Sequence, residues 1–241
     1  LRAALILVIV AFIATVLVRL PARVLLLMLP ADVACEAPVG TVWSGSCGRL
    51  RIGAVAVSGL SWRLHPATLL RLRLCADLSS EDPAAHGHAR TELAPDGAVA
   101  ISALAASVAL PSGAGLVPPG VSGTMQLAIN SARIAGAHLV AVQGSVELQQ
   151  LHVDNPAADL GGFALQFAPP NQSGAMVGQL RDLDGPLSVV GELQLSPSGS
   201  YELEGSVAPR PGASNAIVQL LQWLGPPDAQ GRRALSLAGT L

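Results

Sequence analysis

The sequence predicts an all-β protein: a single N-terminal membrane helix followed by an antiparallel β-meander. Three observations predict it. An uncharged run of sixteen residues opens the chain, period-two alternation recurs from residue 60 to the C-terminus, and turn residues punctuate that alternation throughout. The composition agrees. Hydrophobic residues make up 51% and charged residues only 12%, against about 25% charged in ordinary soluble domains. Small aliphatics remain frequent to the C-terminus, so the opening run does not account for the bias alone. The pattern suits broad, thin β layers with a dry face. The 241 residues suffice for one large or two small β domains plus an anchor.

Residues 3–18 (AALILVIVAFIATVLV) carry no charge and lie between Arg2 and Arg19. At 1.5 Å per residue they rise about 24 Å as a helix, slightly short of a ~30 Å hydrocarbon core. Snorkelling arginines and Leu20 make up the difference. We expect a retained anchor over 1–20 and a juxtamembrane segment over 21–34. No small-x-small cleavage site follows the run, and Asp32 stands where a lipoprotein signal at Cys35 would need Leu or Val. Arg19 and Arg23 lie on the side assigned to the exported domain, against the positive-inside tendency. The cysteines therefore carry the argument for orientation.

The chain has three cysteines, Cys35, Cys47 and Cys75. A Cys35–Cys47 disulfide would close a short loop, be worth on the order of 3 kcal/mol, and need an oxidising compartment such as the periplasm. The alternative is three unpaired core thiols. No C-x-x-C is present, which argues against zinc or dithiol redox chemistry.

Beyond residue 35 the elements follow in order. Leu60, Trp62 and Leu64 alternate with Ser61, Arg63 and His65. Leu70, Leu72 and Leu74 alternate with Arg71, Arg73 and Cys75. Both tracts read as strands with one buried face, separated by a turn, with or without one helical turn, at residues 65–68. Residues 79–96 are polar and contain Pro83, Gly87 and Pro95, and read as a long hairpin connection. Residues 111–123 (PSGAGLVPPGVSG) form the strongest linker signal. It divides a first β subdomain (35–110) from a second (124–241). In the second half the apolar phase moves from even positions at Val146 and Leu148 to odd ones at Leu151 and Val153, which predicts a bulge near Gln149 and Gln150. Ser214 is placed to cap a helix over 215–224 whose apolar face is Ile217, Leu220, Leu221 and Leu224, with Gly225-Pro226-Pro227 ending it. A glycine phrase recurs at Gly40, Gly123, Gly144, Gly191, Gly205 and Gly239. We read these as strand starts relieved of crowding.

Candidate chemistry is sparse. His86 and His88 form an H-x-H without a third ligand nearby and read as a solvated loop; His65 beside Pro66 reads as a turn residue. Asp182 and Asp184 sit in turn chemistry (RDLDGP). Asn171-Gln172-Ser173 is a sequon by pattern only. No P-loop, G-x-S-x-G or H-E-x-x-H occurs. We expect no catalytic residues, no metal and no cofactor, and not an enzyme. A net charge of −2 and 3% aromatics exclude a nucleic-acid footprint. Trp43, Trp62 and Trp223 are either core residues or interface anchors, with Trp43 and Trp62 the interface candidates.

Taken together, the apolar segment leading into Leu20-Pro21-Ala22, then Gly40-Thr41-Val42-Trp43-Ser44-Gly45, Leu60-Ser61-Trp62 leading through Pro66 to Leu69-Leu70, Gly185-Pro186-Leu187 and the ending GRRALSLAGTL resemble protein N of the type II secretion system. The resemblance spans nearly the whole chain and transfers no catalytic residue. It implies an accessory inner-membrane subunit of the machinery that exports folded proteins, in contact with the secretin or with other inner-membrane components. The competing reading is an anchored β groove that binds or carries lipid, similar to the AsmA family.

Overall fold

The computed structural model describes residues 12, 15–16, 19–26, 33–52, 55–111, 119–136, 138–169 and 174–240. The anchor expected at 1–20 lies almost wholly outside these residues, as does the sequon 171–173. Among the described residues no helix is long and apolar enough to cross a membrane.

Among the described residues, thirteen strands form one antiparallel sheet in strict chain order. They are β1 (Val33–Gly40), β2 (Ser44–Ile52), β3 (Val55–His65), β4 (Leu74–Asp82), β5 (Ala85–Leu93), β6 (Val99–Leu110) and β7 (Val121–Ala135), then β8 (His138–Asp154), β9 (Ala157–Phe167), β10 (Met176–Asp182), β11 (Leu187–Leu195), β12 (Ser200–Pro209) and β13 (Arg233–Thr240). A short helix α1 (Arg23–Leu26) precedes them, a 3-10 turn (Pro66–Arg71) joins β3 to β4, and helix α2 (Asn215–Gln222) lies between β12 and β13.

The sheet has one aliphatic and one polar face, as directly opposed residues show. Leu104, Ile129, Gly144, Phe167, Gly178, Leu193, Leu203 and Leu237 stand opposite one another in turn from β6 to β13. One residue along, on the other face, runs Ser46, Ser61, Ser79, His88, Ala105, Ala128, Ser145, Gln166, Gln179, Glu192, Glu204 and Ser236. Amide–carboxylate hydrogen bonds tie this face together: Gln179 Nε2 donates to Glu192 Oε2 at 2.9 Å, and Gln149 Nε2 to Glu147 Oε2 at 3.1 Å.

The aliphatic face is where the core forms. Its largest cluster includes Ile129, Val142, Phe167, Met176 and Leu195, with Met176 fully buried. The sheet curls around this face: Val57 and Leu60 of β3 line one apolar cleft with Leu104, Ala106 and Val108 of β6. Glycines permit the curl. A Cβ on Gly205 would lie 2.6 Å from the Val190 carbonyl oxygen, and one on Gly144 would lie 2.4 Å from that of Ala128. Gly144, Gly191 and Gly205 thus sit within strands, where neighbouring backbones crowd together, and not at strand starts as their recurrence suggested.

Several expectations are corrected. Residues 111–123 include the start of β7 at Val121, and Gly123–Ile134 of β7 pair with Val99–Leu110 of β6. Residues 79–96 contain the end of β4 and all of β5. This strand was masked because its outer residues His86, His88, Arg90 and Glu92 alternate with the small Ala85, Gly87, Ala89 and Thr91, too weak an apolar signal to read as a buried face. Leu70 and Leu72, read as strand residues, lie before β4 begins and are exposed. The bulge in β8 is present, with a register shift between Leu148 and Leu151 and a left-handed Gln150 (φ 53°). Helix α2 is present too, with the Ser214 hydroxyl accepting the Ile217 N–H and Ile217 and Leu221 buried against Leu187, Val189 and Val207.

Candidate interaction surfaces

The strand connections divide between two ends of the sheet. One end, termed here the entry end, carries the β1–β2 turn, the 3-10 turn and the turn after β5. The distal end carries the β4–β5 turn and the segment containing α2. Leu20–Ala22 is tied to the entry end. The Leu20 carbonyl accepts the Val42 N–H at 2.9 Å, Ala22 N–H donates to the Gly40 carbonyl at 3.1 Å, and Pro21 bridges Thr41.

Cys35 and Cys47 are joined in a disulfide with Cα atoms 5.8 Å apart. It fastens the outermost strand β1 to β2 and belongs to the cluster of Ala22, Trp62, Leu64 and Ala76. Cys75 is a free, half-buried thiol on β4.

The tryptophans separate. Trp62 is 8% exposed, and its indole N–H donates to the Val42 carbonyl at 3.1 Å. It packs in the cluster of Ala22, Cys47, Leu64 and Ala76 with its indole N–H satisfied. Trp43 is half-buried in the same cluster, and its carbonyl accepts the Leu64 N–H at 2.7 Å. Trp223, at the C-terminus of α2, is 89% exposed.

The titratable residues hold the polar face together. Asp77 accepts Arg90 Nε at 2.7 Å and lies 2.7 Å from His65 Nε2. The Arg90 hydrogen bond, then that of His65, holds the Asp77 carboxyl below its usual range. His86 and His88 lie on this face as strand neighbours of Glu81 and Ser79, not in a loop. Asp182 accepts the Val189 N–H at 2.8 Å and pairs with Arg210, latching the distal end. Among the described residues no group of three or more His, Cys, Asp or Glu is placed to hold a metal ion.

The two outer strands differ. β1 contains Pro38 and a left-handed Ala37 (φ 54°), both unfavourable to adding a strand. β13 contains neither a proline nor a left-handed residue.

These features define a curled, single-sheet β protein with a latched first strand, an open last strand and an apolar projection at its distal end. Residues 31–236 match the family Type II secretion system (T2SS), protein N, and the chain belongs to that family. Type II secretion system protein N of Aeromonas hydrophila is 27% identical over 247 residues, covering 96% of this chain and 95% of its own. That of Vibrio cholerae serotype O1 is 26% identical over 240 residues, covering 94% and 93%. No solved structure matches.

Proposed function

We propose that this chain is an accessory subunit of the type II secretion machinery, held in the inner membrane by residues 1–20 with its sheet in the periplasm. It works through protein contacts, with the secretin or with inner-membrane subunits, and not through catalysis. Family membership supports the assignment to secretion. The disulfide suits an oxidising compartment. The observation that carries the contact reading is Trp223. It is 89% exposed, adjoins Leu224 (40%) in sequence, and ends a helix whose Ile217 and Leu221 are buried. Trp is among the residues most enriched in binding hot spots. With Trp62 in the core, Trp223 replaces it as the leading anchor candidate. Trp223→Ala should reduce recovery of secretion subunits from native membranes severalfold while the melting temperature stays unchanged; undiminished recovery refutes the Trp223 contact.

A second reading is lipid binding, favoured by the continuous aliphatic face and its curl. Native mass spectrometry that finds phospholipid retained by the purified chain supports it; a lipid-free chain that still captures secretion subunits decides for protein contacts.

A further inference from the structure

Three of the apolar residues left outside the core fall together in one connection. Leu69, Leu70 and Leu72 are 43%, 91% and 76% exposed, and all belong to the connection between β3 and β4 at the entry end. Their exposure is not that of a slack loop. Thr68 Oγ1 donates to the His65 carbonyl at 2.7 Å and accepts the Cys75 N–H at 3.3 Å. Leu72 and Arg73 N–H groups close the turn onto the carbonyls of Leu69 and Thr68. The backbone is therefore ordered by its own hydrogen bonds and those of Thr68.

Leu72 sharpens the point. It occupies the left-handed region (φ 55°, ψ 32°), where glycine or asparagine closes a turn with less strain. A leucine there carries backbone strain and obtains no burial in return. Folding alone gives no reason for Leu70 and Leu72 to be leucine.

The surroundings specify the occupant. Leu20–Ala22, the outlet of the uncharged residues 3–18, is bonded to the same end of the sheet. Ala22 is 2% exposed in one cluster with Leu64 and Ala76, the strands on either side of the 3-10 turn. Arg71 alternates with the leucines, as does Arg73, which pairs with Glu92, and Arg19 and Arg23 flank Leu20–Ala22; all four are exposed. Apolar side chains interleaved with arginines suit the boundary between acyl chains and anionic headgroups. Two other turns at this end are polar: Asp96 pairs with Arg133, and Ser198 bonds Ser200.

We propose that the 3-10 turn with Leu72 and Arg73 is a bilayer-docking loop. It inserts Leu69, Leu70 and Leu72 into the outer boundary of the same phospholipid membrane that holds residues 1–20. Anchor and loop then form two attachments, which fix the entry end of the sheet against the membrane and point α2 away from it. The inference rests on the anchored reading of the N-terminal segment, and the test distinguishes the two.

The full chain, with Cys75→Ser and a single Leu70→Cys carrying an environment-sensitive fluorophore, is reconstituted in phosphatidylglycerol–phosphatidylcholine vesicles. Leu72→Cys serves as a second probe in case the first perturbs the turn, and Asp228→Cys reports the distal end. Flotation with the vesicles reports the anchor; quenching by nitroxide-bearing lipid or aqueous iodide reports the loop. Flotation with Leu70 and Leu72 quenched severalfold more by lipid, and Asp228 only by iodide, is expected. Flotation with Leu70 and Leu72 in water overturns the loop and leaves the anchor standing, whereas failure to float overturns both. Protection that appears only when other secretion subunits are co-reconstituted assigns the loop to a protein partner and also overturns the proposal.

Discussion

Cys35 and Cys47 are bonded although neither stands opposite the other: Cys35 faces Leu50 and Cys47 faces Pro38. The bond runs diagonally across β1 and β2. Ala37 lies between Cys35 and Pro38, and its left-handed conformation breaks the alternation of the strand. The latch thus straddles the left-handed Ala37 of β1.

Removing the latch should loosen that edge first. The Cys35→Ser, Cys47→Ser double variant is expected to lose about 2–4 kcal/mol, the usual contribution of a disulfide closing a short loop. Thermal unfolding with and without reductant measures it. Reductant should lower the midpoint of the parent and leave the double variant unchanged; equal midpoints for oxidised and reduced parent would contradict the assignment.

Trp62 and Trp223 should respond oppositely to truncation. Trp62 is buried with its indole N–H satisfied, so Trp62→Ala is expected to cost about 3–5 kcal/mol. Trp223→Ala removes a side chain that packs little, and its stability should change by less than about 0.5 kcal/mol. Denaturant titration of the two variants tests this, independently of any partner.

Gly205 is required by space. An added Cβ would meet the Val190 carbonyl oxygen at 2.6 Å and the Gly191 Cα at 2.8 Å, both backbone atoms that cannot rotate away. Gly205→Ala should destabilise by about 1–3 kcal/mol, as overpacking does. Gly48→Ala is the control, since its added carbon would find only contacts of 3.4 and 3.5 Å. Similar losses at the two positions would show that the curl does not depend on Gly205.

Acid should weaken the polar face at Asp77. Its carboxyl is held below the ordinary value of 3.8 by the Arg90 hydrogen bond, then by that of His65. A carboxylate whose pKa falls on folding stabilises above its unfolded pKa, and that contribution is lost as pH drops through the folded value. Asp77→Asn should therefore be less stable than the parent near neutrality, with the gap closing below pH ~4. Melting curves across that window measure the gap. The effect is small because the pair is partly exposed and screened.

The polar and apolar alternation, the bulge at Gln150 and the Ser214-capped helix were legible from residue order, because each depends on neighbours within a few positions. Two readings failed for the same reason. β5 was hidden because its inward residues are Ala, Gly and Thr, small enough to fit the curl but too small to signal a core. Leu70 and Leu72 read as strand because alternation records residue type, not which side of a backbone faces a partner. The sequence by itself determined that the chain is β-rich, opens with an apolar segment and carries one amphipathic helix. Only the tertiary structure decided that thirteen strands make one sheet, that Trp62 lies inside while Trp223 and Leu70 lie outside, and that mid-strand glycines let the sheet curl. Those outcomes depend on which backbones approach one another across the sheet, and residues far apart in sequence set that approach.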